Sequence, residues 1–335
     1  MRLTLVFLML AASVATAKNL EISVIDVEGG KAVLLVSPSG ESMLLDAGWP
    51  SLRDRPSSTA RIVEAAKAAG IARIDHLVIT HYDIDHIGDV PELASRIPIR
   101  HFYDHGSYSN TNQQAMERFA AYAAVRDKAV HTVLKPGDRI PIQGVDVEVL
   151  TSAGQITTRG GPANPLCTAF PQAPAIPSDH EDDQSIGLLI RFGPFRMLDL
   201  ADLEAHNSHD LVCPKNRIGT VDLYNVNVHG QFKGIAPELV RAIAAPVILQ
   251  ANGATKGADA KSWPVLHSAP GMQDIWQLHF SLNAAKDQNP PADFIANLEG
   301  DDAQKSIQIS VTEDGKYRIT NARNSFSKQY RPARH

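Results

Sequence analysis

The stretch THYDIDHIGDV, Thr80 to Val90, gathers two histidines and three aspartates at the end of an apolar run. Imidazole nitrogens and carboxylate oxygens are the ligands that zinc, manganese and iron take. His81, Asp83 and Asp85 alternate, so an extended backbone would send all three to one side, and a bend at His86 would turn its ring the same way. This density of donors suits a pair of cations roughly 3.5 to 4 Å apart, as in two-metal hydrolases, better than a single ion. The plain alternative is a solvated acidic turn with a capping aspartate. No serine sits in the Gly-x-Ser-x-Gly setting of a nucleophile elbow, which argues against serine hydrolase chemistry.

Several elements must position these donors. Leu20 to Val27, Lys31 to Pro38 and Glu41 to Gly48 read as short strands separated by Gly-Gly and Pro-Ser-Gly turns. Thr59 to Ala69 has helical spacing and stops at Gly70. Ile74 to Thr80 is an apolar strand that delivers the motif onto a loop. Arg100 to Gly106 reads as a strand, Asn112 to Arg126 as a surface helix, and His131 to Gly154 as further β-structure. Gly154 to Asp183 is rich in Pro and Gly and has no period, as long functional or disordered loops do.

Two strands around a Gly-Pro turn then end in Leu198-Asp199-Leu200-Ala201-Asp202, followed by a polar helix near Leu203 to Leu211. Val221 to Gly230 reads as one strand, Pro237 to Ala244 as a helix, and PVILQAN as another strand. In DIWQLHFS, Trp276, Leu278 and Phe280 share one strand face, which leaves His279 on the polar outer face. The end is a hairpin turning at Asp314-Gly315. His101 and His105 flank Asp104 in a segment that could line a cleft, whereas His206 and His209 fall on the polar helix and are expected in solvent.

His81-Tyr82-Asp83-Ile84-Asp85-His86 resembles the HxHxDH motif of the metallo-β-lactamase superfamily, in the HxDxDH form of the hydrolase domain of ComEC-like DNA-uptake proteins. The opening VIDVEGGKAVLLVSPSGESMLLDAG is similar to that family's first strands. The resemblance implies an α/β fold, a four-layer αββα sandwich. It further implies metal ligation by His81, Asp83, Asp85, His86, Asp202 and His229. Asp202 would bridge two ions, and Asp46 would hold a ligand histidine by hydrogen bond. Asp202 rather than Asp199 is assigned because the family's Leu-Thr-Gly-Asp signature ends there, although Leu200-Ala201 replaces Thr-Gly. The family's usual third histidine has no evident counterpart. Asp183 would approach the metal directly or through water, with His180 its rival. Two divalent cations are implied, zinc first; aspartate in place of the motif's second histidine hardens the first site and makes manganese more plausible there than in an all-histidine site.

The N-terminus, with Arg2, an apolar run to Leu10 and Ala15-Thr16-Ala17, reads as a signal peptide over residues 1–17, leaving one hydrolase domain over 18–335 in a secreted or periplasmic protein. No later segment approaches the ~20 apolar residues of a membrane helix, so no membrane partner is expected after cleavage. Cys167 and Cys213 could form a disulfide or remain two buried thiols. With 32 Lys and Arg against 37 Asp and Glu, net charge −5, the composition disfavours tight non-specific binding to nucleic acid and leaves a local basic strip open. The first expectation is an exported hydrolase of small-molecule or nucleic-acid phosphodiesters, acting through a metal-activated hydroxide that Asp85 orients. The alternatives are β-lactam, lactone or ester hydrolysis, and a metal-stabilised binding protein with a decayed site. Nothing in the sequence identifies a protein partner.

Overall fold

A computed structural model describes residues 19–52, 57–108, 110–170, 172, 181–300 and 304–333. The signal-peptide reading of residues 1–17 and the rival ligand His180 lie outside the described residues.

Two mixed nine-stranded sheets face each other. The first is built from β1 (Leu20–Val24), β2 (Val33–Val36), β3 (Ser42–Leu45), β4 (Ile74–Val78), β5 (Ile99–Asp104) and β6 (Val130–Val133), in sequence order. The second contains β7 (Arg139–Ile142), β8 (Val145–Ser152), β9 (Gln155–Ile156), β10 (Gly187–Phe192), β11 (Phe195–Asp199), β12 (Leu223–Asn225), β13 (Val247–Gln250), β14 (Asp274–His279) and β15 (Ile295–Asn297). The chain then returns to the first sheet as β16 (Ile307–Val311), β17 (Tyr317–Asn321) and β18 (Ser327–Tyr330), with β16 antiparallel to β1.

Strand alternation decides which layer each side chain joins. Met43 and Leu45 of β3 enter the core between the sheets, while Leu44 enters the core under the outer helices of the first sheet. In β10, Leu188 and Ile190 point to the other sheet and Leu189 to the opposite helical layer. Both faces of these strands are therefore apolar, as expected of sheets covered on both sides. The outer layer of the first sheet includes α1 (Thr59–Ala68), α2 (Ile84–Ile87), α3 (Val90–Arg96) and α4 (Gln113–Arg126). That of the second includes α5 (Ala205–Val212), α6 (Pro237–Ile243) and α7 (Ser262–Leu266). The result is the four-layer αββα sandwich.

Four local readings need correction. The motif is not all loop: Asp83 is an extended N-cap residue, and Asp85 and His86 lie in the single turn of α2. One turn is too short to leave a periodic signal. Val221 to Gly230 is a strand only over β12, because Val228, His229 and Gly230 adopt positive φ and turn the chain. His206 is buried, and His209 sits 2.8 Å from the buried Glu238, so the face of α5 that carries them turns inward against α6. His279 is buried as well, its Nε2 2.7 Å from Asp26 in the loop that follows β1. In these last two cases a carboxylate from another element supplies the polar partner that solvent was expected to supply.

Candidate metal centre

β4 ends at Val78 and feeds its apolar run directly into Thr80 and His81, at the edge where the two sheets' loops meet. Two close approaches fix the following turn. Lys31 N donates to Asp85 O at 3.0 Å, tying the motif to the loop between β1 and β2. Gly88 has φ 53, and a Cβ there would stand 2.5 Å from Ala47 O, so only glycine lets α2 end against β3.

Asp46 is the anchor beneath. Its Oδ1 accepts Thr80 N at 2.7 Å, and its Oδ2 accepts Thr80 Oγ1 at 2.7 Å and lies 2.9 Å from His86 Nδ1. Because Thr80 Oγ1 donates to Asp46, it accepts from His81 Nδ1, 3.2 Å away. His81 therefore carries its proton on Nδ1 and turns a lone pair on Nε2 into the cluster; burial holds this imidazole well below the usual histidine pKa, in its neutral form. That Nε2 is buried without a hydrogen-bond partner. A buried acceptor with no donor is costly unless something electropositive completes it.

Three atoms form a nearly equilateral triangle. Asp85 Oδ2 is 3.3 Å from His86 Nε2 and 3.2 Å from His229 Nε2, and the two nitrogens are 3.3 Å apart. The other nitrogen of each ring is already engaged, His86 Nδ1 by Asp46 and His229 Nδ1 by Ala251 O at 3.0 Å. Ligands about 2.0–2.1 Å from a tetrahedral zinc stand roughly 3.3 Å from one another, so these donors fit one cation. Asp202 spans the top: Oδ1 is 3.4 Å from His86 Nε2 and Oδ2 3.3 Å from His229 Nε2.

A second group adjoins the first. His81, Asp83 and Asp182 each offer a ligand atom, all within 4.8 Å of one another, with His81 Nε2 3.6 Å from Asp182 Oδ1. His81, His86 and Asp202 form an overlapping group, which makes Asp202 common to both halves.

The charges follow from this crowding. Burial alone would lower His86, but Asp202, Asp85 and Asp46 outweigh it and hold the imidazole well above its ordinary pKa. Burial would raise Asp85 and Asp202; the surrounding histidines, with Lys256 at Asp85, outweigh it and hold both well below the usual carboxylate range. Asp83 is pushed up to about 7, first by partial burial and then by Asp182 and Asp85.

The structure thus brings His81, Asp83, Asp85, His86, Asp202 and His229 together over Asp46. Asp183 is not among them. Its Oδ1 accepts Asn207 Nδ2 at 2.8 Å and its Oδ2 lies 3.3 Å from His206, away from the cluster. Asp182 takes the place instead, because residues Glu181–Gln184 form a 3-10 turn in which neighbouring side chains diverge by about a third of a turn. The adjacent Asp182-Asp183 pair was visible in sequence, but not which member faces in. Asp199 lies outside as well, ion-paired to Lys31 and accepting Asn225 Nδ2 at 2.8 Å. Sequence reading also missed Lys256, paired with Asp85, and Lys233, paired with Asp182.

Residues 25–169 match the family model described as the metallo-beta-lactamase superfamily. Among solved structures the chain is similar to the metallo-beta-lactamase fold protein YhfI from Bacillus subtilis, at 11% identity over 78% of this chain and 96% of that one, with TM-score 0.49. It is also similar to Igni18, a metallo hydrolase from Ignicoccus hospitalis, at 11% identity over 77% and 94%, TM-score 0.43. A third is CmlA, a diiron beta-hydroxylase from Streptomyces venezuelae, at 16% identity over 76% of this chain and 48% of that one, TM-score 0.40. No curated protein matches. The family match takes in β2 to β9 and supports the superfamily over residues 25–169, which is less than half of the chain.

Proposed function

We propose that the protein is an exported, metal-dependent hydrolase of phosphodiester bonds that holds two divalent cations. The observation that carries this reading is the triangle of Asp85, His86 and His229 donors, 3.2–3.3 Å on each edge, with both ring Nδ1 atoms already committed elsewhere. His81, Asp83 and Asp182 would hold one cation, Asp85, His86 and His229 the other, and Asp202 both. The group of Asp85, His86 and His229 offers two imidazoles and suits zinc; that of His81, Asp83 and Asp182 offers two carboxylates and tolerates manganese. When bound, such cations supply Lewis acidity that lowers the pKa of water and draws charge from a phosphoryl oxygen.

The chain's own residues supply the rest. Asp46 and Ala251 fix the ring orientations, and Asp85 would orient the attacking water through its carboxylate. The four carboxylates Asp83, Asp85, Asp182 and Asp202 would balance two divalent charges, so a phosphodiester monoanion meets a site without excess negative charge. The ComEC-like motif form favours phosphodiesters over β-lactams. Export is supported by the leader-like N-terminus and by the Cys167–Cys213 disulfide, a bond that persists in oxidising compartments. No helix among the described residues is long and apolar enough to cross a membrane.

The test is metal analysis of the purified protein beside hydrolysis of bis(p-nitrophenyl) phosphate, nitrocefin and a lactone panel, in wild type and His86→Ala. Two tightly held ions with phosphodiester turnover lost in His86→Ala are expected. Turnover confined to nitrocefin or lactones would move the assignment to the β-lactam and ester branch, and no turnover with one ion or none would make the protein a binding module.

A further inference from the structure

Lys256 lines two cavities and links them to the metal cluster through its contact with Asp85. Its ammonium touches Asp85 Oδ2, the only hydrogen-bonding partner of that ammonium among the described residues. Its ammonium lies 5.0 Å from the centre of the Trp49 ring, and its side chain keeps 28% of its exposure. An ammonium has three donors, so one carboxylate contact leaves it able to grip an anion as well. One cavity, of about 700 Å³, is lined by Trp49, Leu298, Asp26 and His279. The other, of about 390 Å³, is lined by Gln231, Asp259 and Asn283. Lys256 and its neighbour Thr255 line both.

The loop that carries Lys256 is held to the cluster. Ala251 O accepts His229 Nδ1 at 3.0 Å, and Ala258 N donates to His229 O at 3.0 Å, so the loop is pinned to His229 on both sides of Lys256. Gly257 lies so near that a Cβ there would stand 2.1 Å from His229 O. On the other side, Gly253 faces Gly29, where a Cβ would stand 2.9 Å from Gly253 N. The lysine is thus positioned by the backbone that orients a candidate ligand, not by a free surface loop.

We propose that Lys256 holds the anionic group of the substrate, and that the two cavities take the two ester arms of a small organic phosphodiester. The planar or apolar arm goes against Trp49 and the hydroxyl-bearing arm against Gln231 and Asn283. This rests on the phosphodiester reading above and narrows it from polymer to small molecule. Both cavities have small-molecule dimensions, and the chain's net charge of −5 disfavours a long polyanion.

Calorimetric titration of the zinc-loaded protein with diphenyl phosphate, and separately with 4-hydroxybutyrate, tests it in wild type, Lys256→Met and Lys256→Arg. Wild type should bind diphenyl phosphate. Lys256→Met should weaken that binding about tenfold or more while zinc stoichiometry is unchanged, and Lys256→Arg should restore most of it. Equal affinity in wild type and Lys256→Met, or loss of zinc in that variant, would overturn the proposal, the latter by making the lysine a structural partner of Asp85. If wild type binds 4-hydroxybutyrate alone, and Lys256→Met weakens it, the phosphodiester reading fails while the lysine remains the anion holder.

Discussion

The carboxylate of Glu181 accepts the backbone N–H of Tyr82 at 2.7 Å, and the same oxygen lies 2.6 Å from His105 Nε2. This clamp joins the start of the 3-10 turn to the middle of the motif, and it is what delivers Asp182 beside His81. Glu181 touches no other member of the cluster. Glu181→Ala is therefore expected to release the group of His81, Asp83 and Asp182 alone, lowering bound metal from the two equivalents proposed to one by elemental analysis. Retention of both equivalents would show that Asp182 reaches His81 without the clamp.

Asp46→Asn keeps the shape beneath His86 but removes the charge that its Nδ1 faces. An amide can turn its oxygen toward the ring or toward Thr80 Oγ1 only at the expense of its remaining contacts, since Asp46 uses both oxygens. Zinc affinity should fall about 10- to 100-fold, as when other carboxylates that orient ligand histidines are lost. Competition with a chromogenic chelator measures it.

Metal binding should release protons. The raised His86 is protonated in the metal-free protein, and its Nε2 must be bare to ligate. Asp83 adds a pH window. Its folded pKa of about 7 lies above its unfolded value, so the neutral form is favoured on folding. Ionising it costs the metal-free protein stability as pH rises from about 4 to 7, whereas a cation requires the ionised form. Affinity should accordingly weaken as pH drops below about 7, and the metal-induced rise in Tm should be largest above that value. Calorimetry in buffers of different ionisation enthalpy gives the proton count.

Asp199 and Asp202 should fail differently. Asp199→Ala strands the ammonium of Lys31, whose side chain is 4% exposed, and should cost about 3–5 kcal/mol of folding stability in urea denaturation. Its folded fraction should still load metal. Asp202→Ala should lose metal, because the carboxylate lies 3.3–3.4 Å from both His86 and His229. If Asp199→Ala lost metal as fully as Asp202→Ala, the assignment of Asp202 to the centre would be wrong.

What could be read in the sequence was local. The strand into Thr80, the ligand types at 81, 83, 85 and 86, and the Asp-Gly hairpin at 314 and 315 follow from pattern within a few residues. Asp202 and His229 needed the family's spacing as well, since nothing near them announces that they meet 3.3 Å apart. Asp182 against Asp183 turned on the phase of a four-residue 3-10 turn at the end of a stretch without period. The burial of His206 and His279 and the inward turn of His209 depended on Asp183, Asp26 and Glu238, partners whose approach only the tertiary arrangement reveals.

The pairing of β1 with β16 has a consequence for biosynthesis. Leu20 lies opposite Val311, so one edge of β1 stays uncovered until nearly three hundred further residues have left the ribosome. Sheet completion must wait for that late partner, and such distant contacts form slowly. A nascent chain stalled before Ile307 would present an open hydrogen-bonding edge to other chains, which makes early termination a route to aggregation rather than to a smaller folded protein.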